Sequence, residues 1–213
     1  SGGGKSTTAK LAARFWDIAD GQILVGGNDI SKIDPETLLK HYSIVFQDVL
    51  LFNASIADNI RIGKRNATDE EVRHVARLAQ CDDFISRMPQ GYDTVIGENG
   101  ETLSGGERQR ISIARALLIN PDVLICDEIT SALDVTVQYE VMQLLADIKE
   151  RSQTSFLFIS HDIALVSNFA EDLVVLKDGI VQEKGSMREV VSAPKSDYTK
   201  LLLSQYREDK DED

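Results

Sequence analysis

Apolar residues follow two rhythms along this chain. YSIVFQ (Tyr42 to Gln47), VLICDE (Val123 to Glu128) and FLFIS (Phe156 to Ser160) are short, nearly unbroken apolar runs, the pattern of strands buried on both faces of a sheet. Each ends in polar or acidic residues. Elsewhere the period is helical: Val72, Val75, Ala76 and Ala79 form one stripe, and Ile111, Ile113, Ala114, Leu117 and Leu118 a second. Val135 to Ile148 is a third amphipathic run. Thr68 with Glu71 and Ser104 with Glu107 make S/T-x-x-E capping boxes, Asp34 precedes Pro35, and Ser131 and Asp134 are candidate caps for the third run. In the opening SGGGKSTTAKLAARFW, the residues Ala9, Leu11, Ala12 and Phe15 give a helix one buried face. Asp20 to Ile30 reads as a short strand between glycine turns, and DLVVLKDGIVQEKG as two strands joined at Asp178 and Gly179. Helical segments follow around Met187 to Val191 and Ser196 to Ser204. Strands alternating with helices predict an α/β fold with a mainly parallel sheet.

Composition narrows the functional classes. With 213 residues, 42% of them hydrophobic, the chain can build one large core with a subdomain. No apolar run approaches the roughly 18 residues of a membrane span, so a soluble chain is expected, working at a membrane only through another polypeptide or another part of its own. A net charge of −12, with 35 acidic against 23 basic residues, argues against a broad nucleic-acid surface. The terminal REDKDED is acidic, and so is the body. Cys81 and Cys126 show neither metal spacing nor a disulfide framework and read as small buried side chains in a reducing compartment.

Four stretches carry candidate chemistry. LSGGERQR (Leu103 to Arg110) begins a helix at which backbone amides and the helix dipole can meet an anion. Each of its two glycines costs about 1 kcal/mol of helix propensity, so they call for another reason. SGGGKST has the glycines, Lys5 and Ser6 of a phosphate-cradling loop, and SGGG also reads as a flexible linker. Asp127 and Glu128 end a buried strand, the position for a metal ligand and a base. Gln47 and His161 end the other two strands, where α/β sheets place ligands. Taken alone, a loop glutamine and a structural histidine are the commoner readings.

LSGGERQR resembles the signature motif of the ABC ATPases, the ATP-binding cassettes of ABC transporters, and the other stretches resemble that family's motifs in its order along nearly the whole chain. The resemblance implies a P-loop NTPase fold with a mainly parallel sheet flanked by helices, an inserted helical subdomain, and an upstream β region that is missing here together with its adenine-stacking aromatic residue. It implies residues 1–190 as the cassette, with 1–48 and 116–190 as the RecA-like core and 49–115 as the helical subdomain, and residues 191–213 as a C-terminal helix and acidic tail. It implies ATP with Mg²⁺. Gly2, Gly3, Gly4, Lys5, Ser6 and Thr7 would hold phosphates, while Ser6, Gln47 and Asp127 would serve the metal. Glu128 would be the base, with His161 and Gln47 sensing the γ-phosphate. Ser104, Gly105 and Gly106 would bind the nucleotide of a second cassette, identical or not, and SALD (Ser131 to Asp134) would cross to it. Glu98 in TVIGENG would face the coupling helices of transmembrane domains, placing the chain on the cytoplasmic side of a membrane.

The part through LSGGERQRISIARALL resembles exporter cassettes, whereas ITSALDVTVQYEVMQLL and FISHDIALVSNFAEDLVVLKDGIVQEKG resemble peptide-importer cassettes. The reading is therefore a transporter's ATP-hydrolysing motor. Two others stand beside it: a non-transport ABC ATPase acting on DNA or ribosomes, and a hydrolysis-incompetent binding or regulatory module.

Overall fold

The computed structural model describes residues 4–211, with side chains through residue 204. It begins with helix α1 (Lys5–Ala12), a hairpin of β1 (Leu24–Val25) and β2 (Asn28–Asp29), helix α2 (Pro35–Leu39) and strand β3 (Tyr42–Val45). Helices α3 (Ile56–Arg61), α4 (Asp69–Leu78), α5 (Asp82–Ile85) and α6 (Gly105–Leu117) follow, then strand β4 (Val123–Asp127), helix α7 (Val135–Arg151) and strand β5 (Ser155–Ile159). Helix α8 (Ile163–Ser167), strands β6 (Asp172–Lys177) and β7 (Ile180–Ser186), and helices α9 (Met187–Ser192) and α10 (Asp197–Asp211) complete it. Two units result: Gln22–Leu157, and Ser1–Gly21 with Phe158–Asp213. Among the described residues no helix is long and apolar enough to cross a membrane.

The three apolar runs form one sheet in the order β3-β4-β5, with β3 and β4, both in the larger unit, parallel and Tyr42 to Val45 opposite Val123 to Cys126. Leu124, Ile125 and Cys126 are fully buried, as strands covered on both faces require. Helix α6 packs on β3, α3, α4 and α7, and all five residues of its predicted core face are buried. Each such Leu or Ile contributes roughly 1.5–3 kcal/mol. The Thr68 capping box of α4 closes in both directions, Glu71 N donating to Thr68 Oγ1 at 3.2 Å and Thr68 N to Glu71 Oε2 at 2.7 Å. Val72, Val75, Ala76 and Ala79 are buried above it, with His74 exposed.

In the other unit β6 and β7 pair antiparallel about Asp178 and Gly179, whose φ values of 50° and 75° suit a two-residue hairpin turn. Helices α9 and α10 pack on β7. Glu183 accepts from Lys195 N at 2.9 Å and Ser196 N at 3.0 Å, fastening the approach to α10.

Four expectations change. Strand β5 is not covered on both faces, since Leu157 is 42% exposed and only Ile159 is buried. Asp20 to Ile30 is a hairpin rather than one strand, because Gly26 and Gly27 (φ 56° and 80°) both turn left-handed. Helix α1 ends at Ala12 and Arg14 turns to φ 55°, so its buried face is Ala9 and Ala13, and Phe15 is 45% exposed. Asp134 alone caps α7, while Ser131 bonds elsewhere.

Candidate functional site

β4 delivers its two acids differently. Asp127 is the last residue of the strand and is buried. Glu128 takes φ 51°, left-handed and unfavourable for a residue with a Cβ, which turns the chain sharply off the sheet. Ser131 closes that turn, its N and Oγ both donating to the Glu128 carbonyl at 3.1 and 2.9 Å. Gln138 Nε2 donates to the carbonyls of Thr130 and Leu133, each at 3.0 Å, and Asp134 Oδ1 caps Val137 N. The loop carrying Glu128 is thus pinned from within. Val45 pairs with Cys126, so Gln47 on the first chain and Glu128 on the second lie two residues beyond the same rung of a parallel ladder. The structure brings Gln47, Asp127 and Glu128 to one sheet edge.

The start of α6 keeps its capping box: Glu107 N donates to Ser104 Oγ at 3.3 Å, and Ser104 N and Oγ donate to Glu107 Oε2 at 2.8 and 2.9 Å. Its glycines do not simply leave the helix end bare. A Cβ on Gly105 would stand 3.0 Å from Leu133 Cδ2, and one on Gly106 2.9 Å from Val137 Cγ1. They admit the loop and helix that follow Glu128. Ser104 is exposed, Gly105 half-buried and Gly106 buried.

Gly4 to Thr7 and His161 belong to the other unit; Gly2 and Gly3 lie outside the described residues. Gly4 has φ 81°, and a Cβ there would be 3.4 Å from Gly179 Cα. Lys5 and Ser6 open α1, half-buried, with Thr7 exposed. Thr8 N and Oγ1 both return to the Gly4 carbonyl at 2.9 Å, fixing the glycine turn to the helix. His161 is exposed between β5 and α8. The next residue, Asp162, caps α8 by accepting from Leu165 N at 3.0 Å, and Asp162 N donates to Ser160 Oγ at 2.9 Å.

In the larger unit the donors available to a metal are the Gln47 amide oxygen and the Asp127 carboxylate, hard oxygens that fit Mg²⁺ bound partly by phosphate and water; the Ser6 hydroxyl, an oxygen of the same kind, belongs to the other unit. Among the described residues no cluster of three or more His, Cys, Asp or Glu forms a metal site by itself. Burial pushes the Cys81 and Cys126 thiols up, so neither supplies a thiolate.

One polar constellation escaped the sequence reading. Asn59 is 0% exposed between Ile56 and Ile60, and Arg115, beside the core residues of α6, donates to it. The available signal was an asparagine set between the apolar Ile56 and Ile60, with Gly63 just beyond the helix.

The ABC transporter family model matches residues 1–131. The chain is 44% identical over 210 residues to an ATP-dependent lipid A-core flippase of Syntrophus aciditrophicus (strain SB), covering 99% of this chain and 34% of that protein. It is 43% identical over 192 residues to a putative multidrug export ATP-binding/permease protein of Staphylococcus aureus (strain bovine RF122 / ET3-1), covering 90% of this chain and 33% of that one. A bacterial Atm1-family ABC exporter solved with ATP bound superposes with a TM-score of 0.85 at 37% identity, over 97% of this chain and 35% of that chain. The chain spans about a third of the length of the curated relatives it matches. Its likeness to the flippase extends through the last third, which by motif also resembles importer cassettes.

Proposed function

Because this chain belongs to the ABC transporter family, we propose that it binds ATP with Mg²⁺, hydrolyses it, and uses pairing with a second cassette to drive an exporter's membrane domain from the cytoplasmic side. The observation that carries this reading is the shared sheet edge of Gln47, Asp127 and Glu128. A metal ligand and a base are needed side by side where a nucleotide's terminal phosphate is attacked.

Lys5 offsets part of the phosphate charge, and the amides of the glycine turn donate hydrogen bonds to the phosphate oxygens. Ser6, Gln47 and Asp127 would hold Mg²⁺, which when bound offsets charge on the β- and γ-phosphate oxygens. Glu128 takes the proton of the attacking water as its oxygen bonds to the γ-phosphorus and the bond to the β-phosphate oxygen breaks, leaving ADP and phosphate. His161 donates to the γ-phosphate. Ser104, Gly105 and Gly106 serve the nucleotide bound by the partner cassette. Leu50, Phe52 and Val95, 65%, 57% and 57% exposed, form an apolar surface suited to the membrane domain. The bridge between Ser55 and Val95 supports this by bringing their two segments together.

Phosphate release from ATP tests the reading. Release that requires Mg²⁺ and is lost in Asp127→Asn is expected; release indifferent to Mg²⁺ or to that substitution would overturn it.

A further inference from the structure

Arg115 lies in the last turn of α6. Its guanidinium forks toward α3 and the segment that leads into it: Nε donates to the Asn59 carbonyl at 2.9 Å, Nη1 to the Leu50 carbonyl at 2.9 Å, and Nη2 to Asn59 Oδ1 at 3.4 Å. All three acceptors are carbonyl oxygens. Burial disfavours the charged form, yet an arginine keeps its proton in a protein, so desolvation is a standing cost of this arrangement. An apolar side chain could fill the space without that cost. What it could not do is hold three oxygens of two separate segments in one plane.

Asn59 extends the fork. Its Oδ1 accepts from Phe52 N at 2.8 Å, and its Nδ2 donates to the carbonyls of Phe52 and Ser55, each at 3.0 Å. Both backbone groups of Phe52 are therefore held by one buried side chain. Leu51 is buried and its carbonyl accepts from Asn99 N at 3.1 Å, which leaves Leu50 and Phe52 pointing outward. Main chain reinforces side chain at the same place, since a Cβ on Gly63 would stand 2.1 Å from the Arg115 carbonyl oxygen. Helix α6 thus begins at Ser104 and is fastened at its other end to the Leu50–Phe52 strip, roughly 17 Å away at the helical rise.

We propose that Arg115 is a positioning residue, whose fork to Leu50 and Asn59 makes the exposed strip follow the signature end of α6 when nucleotide is bound there. This rests on the ATP-binding reading above. It adds that the link between nucleotide and docking surface runs through one guanidinium and one buried amide.

Hydrogen–deuterium exchange of the amides from Leu50 to Ser55, with and without AMP-PNP and Mg²⁺, tests the link. The Phe52 N–H on Asn59 Oδ1 is the central reporter. In the unsubstituted chain the nucleotide changes exchange there by at least about fivefold. In Arg115→Gln that ratio falls below about twofold while AMP-PNP affinity stays within about twofold. Arg115→Lys keeps the charge without the fork and gives the same loss should the Gln variant not fold, its own fold checked by melting and by unchanged exchange in β4. Variants that respond as the unsubstituted chain does, or an unsubstituted chain that binds AMP-PNP with no response in the strip, overturn the link alone. An unsubstituted chain that does not bind AMP-PNP overturns the ATP-binding reading, and the link with it.

Discussion

Gly106 and Val137 meet at the limit of close approach, a Cβ on the glycine standing 2.9 Å from Val137 Cγ1. The second glycine of the signature is required by packing, whatever it does for nucleotide. Gly106→Ala gains about 1 kcal/mol of helix propensity but overpacks this contact by about 1–3 kcal/mol, so a net loss is expected. Val137→Ala in the same chain removes the obstructing methyl and should recover at least half of that loss. Gly105→Ala should cost less, because the flexible end of Leu133 can turn aside. A double-mutant cycle by urea denaturation measures this, and strictly additive losses would show that the two residues do not meet.

Ser104 has two separable roles. As a cap it is worth about 1 kcal/mol, lost equally in Ser104→Ala and Ser104→Arg. As part of a site for the partner's nucleotide it is blocked only by the arginine. Ser104→Arg is therefore expected to bind ATP at its own phosphate loop and yet not support hydrolysis as a homodimer. Mixed with Lys5→Ala, which lacks the loop cation but keeps its signature, it should regain roughly a quarter of the normal rate, because half the dimers are mixed and each holds one intact site. No recovery in the mixture counts against a shared site.

The base can be isolated by an isosteric change. Glu128→Gln keeps the size of the side chain and the backbone turn closed by Ser131, but cannot take a proton. Turnover should fall by at least about a hundredfold, while ATP-dependent pairing, read by size-exclusion chromatography, persists. Normal turnover in this variant would remove Glu128 from the role.

Much of this was legible from periodicity because the strands are short apolar blocks and the helices begin at strong caps. Thr68, Ser104 and Asp134 all cap as their sequence contexts indicate. Phe15 misled because helical spacing says nothing about where a helix stops, and a single left-handed residue, Arg14, took it off the helix. The packing of Gly105 and Gly106 was invisible because it depends on Leu133 and Val137, distant in sequence. Arg115 and Asn59 were missed for a related reason. Apart from the contact they make with each other, their partners are backbone N–H and carbonyl groups, which every residue type carries.

Glu183 gives a pH signature independent of nucleotide. Backbone hydrogen bonds from Lys195 and then Ser196 hold its carboxyl below the ordinary value of 4.5. A group depressed on folding contributes stability that is complete above its ordinary value and is lost as pH falls through the lower folded value. Above that window the carboxylate fastens the approach to α10; below it, one oxygen carries a proton and the double acceptor is broken. Glu183→Gln has one acceptor oxygen at every pH. Urea denaturation at about pH 7 should find the unsubstituted chain the more stable of the two, and the gap should close as pH falls through the lowered folded value. Exchange at the Lys195 and Ser196 amides, corrected for its intrinsic pH dependence, should rise over the same window in the unsubstituted chain only. A gap that stays constant as the carboxyl is titrated would mean that some other group fastens α10.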